Sequence, residues 1–233
     1  MSASIKKPGN GLACFLAFFP LFLCHGQTYL GFGTGLVINK LSQPSGNVDF
    51  AYRPGFMANA QVAKQIGRRS AFVLEGGFVR KRYGKRARHS PDIREETEND
   101  YLDLSPKFRL SVFRYNRSSV FLENGAFIGY WLNTKTTGRY PNVLSVVQGD
   151  DGLYYSPIVE ATVRNDFDRR RDSRLDAGLT FAVGRSLRMN RSVLETKIGY
   201  AVSLLDQQKR YMRAQEKKTN RSFSFGVCYA FMI

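Results

Sequence analysis

Residues 223–233 alternate without a break. Phe223, Phe225, Val227, Tyr229, Phe231 and Ile233 fall on one face, and Ser222, Ser224, Gly226, Cys228, Ala230 and Met232 on the other. A period of two is the signature of a β-strand whose faces meet different surroundings. The scheme recurs where Leu102, Leu104, Phe108, Leu110 and Val112 oppose Asp103, Ser105, Lys107, Arg109 and Ser111. It returns where Leu194, Ile198, Tyr200, Val202 and Leu204 oppose Glu195, Lys197, Gly199, Ala201 and Ser203. Leu30, Phe32, Leu36 and Ile38 likewise oppose Gly31, Gly33 and Gly35, and weaker versions run over 56–62, 72–78, 120–132 and 175–183. The pattern predicts an all-β chain of eight strands.

Alternation alone does not say which face looks outward. A soluble exported barrel of the lipocalin kind, binding a small apolar ligand, would turn the large residues inward. An eight-stranded barrel, however, has an interior only just wide enough for side chains. Several dozen Leu, Phe, Ile, Val and Tyr side chains would overfill it, whereas Gly, Ser, Ala and a few charges fit. The sequence therefore predicts an eight-stranded antiparallel up-and-down transmembrane β-barrel with its apolar face in lipid.

The N-terminus fits export. Lys6 and Lys7 precede a mostly apolar run over 12–23, the length of a signal-peptide core and too short to cross a bilayer as a helix. Cleavage after Gly26 would make 1–26 a Sec-type signal and 27–233 the barrel domain. A lipoprotein reading through Cys24 is opposed by Leu23, where a small residue is expected. The mature chain then has 33 basic and 19 acidic residues, a net charge of +14. It keeps Cys228 alone, so no internal disulfide is available.

The connections alternate in length. Short turns are expected near Gly67-Arg68-Arg69, Asn116-Arg117 and Asn190-Arg191, and long loops over 39–54, 84–100, 134–172 and 206–219. Short turns on one side and long loops on the other are the layout of an outer-membrane barrel. A repeat agrees: Ser70 to Glu75, Ser119 to Glu123 and Ser192 to Glu195 each follow a short turn and bring a glutamate to the small-residue face. Reuse of one hairpin pattern explains the repeat equally well, and either account gives these three strands one direction. Pro106 lacks a donor, which predicts a bulge or a strand end there.

The mature chain resembles the PorT-like outer-membrane β-barrel proteins of Bacteroidetes-type bacteria. The likeness is one of pattern over 27–233. It rests on the Gln27-led start, the Gly31, Gly33, Gly35 strand, the run Tyr101-Leu102-Asp103-Leu104-Ser105-Pro106, and Asn220-Arg221-Ser222-Phe223 opening the last strand. Asp103 stands for the family's glutamate, a serine is inserted before the proline, and Ile233 replaces the usual terminal aromatic. The resemblance implies eight strands, insertion by the barrel-assembly machinery, and accessory roles that in some members serve protein secretion. It implies no common activity.

Enzymes on such barrels need a nucleophile with a base. The mature chain has one histidine, His89, in a basic stretch without a paired serine motif, so neither nucleophilic catalysis nor histidine-based metal binding is supported. No cofactor is implied. Gly31 to Gly35 lacks the following helix that a phosphate loop needs. The Asn-Arg-Ser triplets at 116, 190 and 220 read as turn chemistry rather than glycan acceptors.

Three basic clusters, over 80–88, 164–174 and 209–218, lie by strand count on the long-loop side. Export and lipid burial argue against nucleic acid. A solvated rim is the plain alternative to contact with the phosphorylated sugars of lipopolysaccharide. Inside, Glu75, Glu123 and Glu195 are expected to pair with Lys107, Arg109 or Lys197, because unpaired charges in a narrow lumen are costly. Outside, loop three is too long for a mere connector. Its Tyr140, Tyr154, Tyr155, Arg169, Arg170 and Arg171 are the candidates for contact with a protein partner.

Overall fold

The computed structural model describes residues 26–42, 47–90, 92–142, 145–150, 152–164, 167, 172–209 and 217–233. Nearly all of the expected signal, and Arg169, Arg170 and Arg171, lie outside the described residues. Eight antiparallel strands form a ring: β1 (Thr28–Ser42), β2 (Val48–Gln65), β3 (Ser70–Ala87), β4 (Arg94–Tyr115), β5 (Ser118–Pro141), β9 (Leu175–Met189), β10 (Ser192–Ser203) and β11 (Thr219–Met232). Within loop three lie three short strands, β6 (Val147–Gln148), β7 (Tyr154–Tyr155) and β8 (Ile158–Arg164). Neighbours in sequence pair around the ring, and β1 closes it against β11 from Tyr29↔Met232 to Ser42↔Thr219.

The faces are inside out relative to a soluble barrel. Outward Phe32 is 59% exposed and Leu102 56%, whereas inward Phe121 is 1% exposed. This arrangement is the reverse of what a soluble ligand-binding barrel requires. Interior volume is regulated by glycine: a Cβ at Gly184 would sit 2.4 Å from the Phe121 ring. The outer limit of the apolar belt is marked by a switch of residue type along four of the outward rows. Ile38 gives way to Lys40 on β1, Phe78 to Arg80 on β3, Leu102 to Asp100 on β4, and Phe223 to Arg221 on β11.

The short turns fall where expected, with Asn116 at φ 51° and Asn190 at φ 36°, the left-handed conformation that asparagine tolerates. The long loops differ. The expected loop over 84–100 shrinks to 88–93, and that over 39–54 to 43–47, because the strands continue past the belt. The reason is charge in register. Arg80↔Asp100, Arg82↔Glu98 and Lys85↔Glu95 are direct cross-strand partners between β3 and β4. The basic cluster over 80–88 is therefore mostly strand.

Pro106 also corrects the expectation. Leu104↔Ile128 and Lys107↔Gly125 keep one register across it, so β4 neither bulges nor ends there. The proline faces outward, and a Cβ at Gly125 would come 2.2 Å from its carbonyl oxygen, so only glycine allows this close approach. The bulges lie instead between Arg53 and Met57, at Asp100/Tyr101 and at Ser111/Phe113.

The closing seam carries a test. Tyr229 and Phe231 stand on the outward face of β11, and Phe231 lies beside Leu30 of β1 and Ser192 of β10. Replacing both aromatics by serine removes two large lipid-facing groups, about 3–6 kcal/mol together. The double variant is expected to lose heat-modifiable migration on a gel; folding in membranes despite it would argue against this seam as the closing step.

Candidate functional site: a layered lumen and an open outer sheet

Two layers of the lumen take six charged side chains from inward positions of β3, β4, β5 and β10. Arg109 of β4 faces Glu123 of β5 directly across the strand pair, with Nε donating to Glu123 Oε1 at 2.7 Å. Its other nitrogens reach across the barrel to Glu195 of β10 as a two-pronged pair, one prong at 2.9 Å. Gln61 Nε2 adds a donor to Glu195 at 2.9 Å, and the guanidinium lies 4.2 Å from the Phe121 ring centroid. Glu75 forms a second layer. It accepts from Lys107 Nζ at 2.8 Å, from Lys197, and from Asn59 Nδ2 at 2.9 Å.

Lys107, Arg109, Lys197, Glu123 and Glu195 are all buried. Each charge has an opposite partner, which a medium of low effective dielectric demands. Toward the short turns, the Arg109 layer floors a cavity of about 190 Å³ lined also by Arg114, Arg117 and Arg188.

A third layer went unnoticed in the sequence. Lys81 Nζ donates to Asp176 Oδ2 at 3.1 Å, and Asn220 Nδ2 donates to the same oxygen at 3.1 Å. Asn220 Oδ1 accepts from Asn39 at 3.3 Å, and Asn39 Oδ1 accepts from Ser222 at 2.7 Å. Lys81 also stands 4.4 Å over the Tyr101 ring, whose hydroxyl accepts from Gln207 at 2.7 Å. The parity of Glu75, Gly77, Val79 and Lys81 on β3 points to this layer, but the alternation expected over 72–78 stops short of Lys81. Between the second and third layers is a cavity of about 90 Å³ whose lining includes Asp103, Ser105 and Thr180.

The outer candidates separate. Tyr140 is not at a loop tip: it is the penultimate residue of β5 and its hydroxyl donates to Glu95 at 3.1 Å. Burial, and then the Glu95 carboxylate, push that hydroxyl up to about 12, so it stays a neutral donor. Tyr154 and Tyr155 lie on β7, 72% and 50% exposed. After them in the chain, β8 pairs with the extension of β5, from Lys135↔Arg164 to Pro141↔Ile158, and stands last in its sheet.

The model of the family described as "Outer membrane protein beta-barrel domain" matches residues 26–208. The chain belongs to this family. It is a protein of the cell outer membrane, and its strands are the membrane-crossing elements. No curated protein matches it in sequence. Among solved structures, the outer membrane protease OmpT from Escherichia coli is similar with a TM-score of 0.52 at 6% identity, covering 89% of this chain and 97% of that one. OprG from Pseudomonas aeruginosa gives a TM-score of 0.49 at 6% identity over 89% and 97%. Neisserial surface protein A gives 0.45 at 12% over 88% and 97%. The likeness to OmpT is one of fold.

The lumen geometry predicts a stability effect. Arg109→Met would strand two buried carboxylates, a loss of about 3–5 kcal/mol. It is expected as a lowered urea midpoint in lipid vesicles, largely restored when Glu123→Gln and Glu195→Gln are added.

Proposed function

We propose that this outer-membrane barrel is a non-enzymatic interaction component, closed to solutes, which presents loop three to a protein partner. One observation carries the reading: β8 is a strand with a single neighbour, beyond the apolar belt. Among the described residues its second edge has no strand partner, and its own Ile158, Val159 and Val163 are exposed, as are Val146, Val147, Leu153 and Tyr154 ahead of it in the chain. A water-facing strand edge with apolar side chains is a template for an added strand. Tyr154 and Tyr155 offer contact area, while Arg169, Arg170 and Arg171 enter on their sequence alone. An accessory role in secretion, as the PorT-like resemblance implies, is the narrower form of this reading.

Contact with lipopolysaccharide is a second role. It is favoured by the cations that follow the belt, such as Lys40 and Arg221, although Arg80 and Arg82 are already paired with Asp100, Glu96 and Glu98. The non-enzymatic reading is supported by the absence of a histidine–nucleophile pair in the mature sequence.

Replacing 143–164 by a short turn should leave heat-modifiable migration intact and abolish co-purification of a partner from native outer membranes. Retention of every partner and phenotype would sink the interaction reading. Arg80→Glu with Arg82→Glu should weaken lipopolysaccharide retention if the cations serve lipid instead. In a planar bilayer the intact protein should carry no porin-like current; a steady current unchanged by Glu123→Gln would contradict the closed lumen.

A further inference from the structure

Asn124 is out of place. It lies on the outward face of β5 between Leu122 and Ala126, level with Phe108 of β4 and Phe181 of β9. The outward apolar row of β5 begins at Val120 and reaches Leu132, so this carboxamide is well inside the lipid belt. It is exposed, and makes no hydrogen bond among the described residues. A hydroxyl in such a place can turn back to its own sheet, as Thr34 does to the Met57 carbonyl at 3.0 Å. A carboxamide has two donor hydrogens and an acceptor oxygen, and acyl chains answer neither.

The same wall is concave. A groove of about 610 Å³ beside Asn124 is lined by Phe108, Leu122, Phe181, Ile198, Tyr200 and Phe223.

We propose that this wall is a self-association face, with Asn124 of two copies paired across a two-fold axis along the membrane normal. A carboxamide is complementary to itself, each amide donating to the other's oxygen. Copies inserted with one orientation share such an axis, and it returns every residue to its own depth. Reversal of strand order across the axis sets Phe108 of one copy against Phe181 of the other, once on each side of the amide pair. These rings suit edge-to-face contact, and polar groups that answer one another in lipid hold membrane segments together. The proposal needs only the lipid-facing placement of β5 and is independent of loop three.

Cross-linking in native outer membranes tests it. Cys228 is buried on the lumen side, so a thiol introduced on the outer face reports its own surroundings, and the unsubstituted chain is the blank. Ala126→Cys, at the next outward position on β5, keeps the amide pair and should give a cross-linked dimer with a lipid-soluble bismaleimide. Leu36→Cys, on β1 four strands around the ring, should stay monomeric. Asn124→Leu keeps an apolar lipid face and should fold. Labelled copies mixed in lipid vesicles should then show association about tenfold weaker than the unsubstituted chain. Equal cross-linking at 126 and 36, an adduct at 126 with a different protein, or association unchanged in Asn124→Leu would each overturn the proposal.

Discussion

Lipid offers no hydrogen bonds, so every backbone amide in the belt must be paired within the protein. That requirement underlies the rest of the structure. Only a ring meets it with strands, and the ring is complete because β1 and β11 share a continuous register. Closure at eight strands fixes a narrow interior. The narrow interior in turn demands small residues opposite large ones, as Gly184 stands against Phe121. Large residues that cannot fit go outside, where the membrane is their solvent.

The interior charges follow from the same geometry. A lumen packed with side chains screens poorly, and an unpaired carboxylate or ammonium there is costly. The chain meets this by layers. Arg109 satisfies Glu123 and Glu195, while Lys107 and Lys197 satisfy Glu75. The Lys81–Asp176 pair lies beyond a small polar cavity. Outside the belt the same charge types do a different job, holding β3 and β4 together as a sheet in water.

Strand number, direction and facing were legible in the sequence because period-two alternation and the volume of an eight-stranded interior are local arguments. Asn116 and Asn190 were legible as turns for the same reason. Strand ends were not. Charged alternation from Arg80 onward looks like a loop until Glu95, Glu98 and Asp100 are set opposite it, and that register is a property of two strands together. Pro106 misled because a missing donor matters only if a partner awaits it, and Gly125 lets β5 approach without one. The inner carboxylates could be named from parity, but their division between Arg109 and the two lysines depends on shear across the barrel. The Lys81, Asp176, Asn39 and Asn220 layer was lost with the strand ends.

The lumen pairs have a kinetic meaning. Glu75 and Arg109 are on β3 and β4, yet their partners Lys197 and Glu195 are on β10, more than 80 residues later. The first five strands can form a curved sheet alone in which Glu75 has Lys107 and Arg109 has Glu123, but Lys81 then lacks Asp176, and Glu75 and Arg109 lack their second partners on β10. Those contacts form only when β9 and β10 complete the wall, and with β10 in place β11 is positioned to meet β1. Completing the interior pairs and sealing the seam thus belong to one cooperative step.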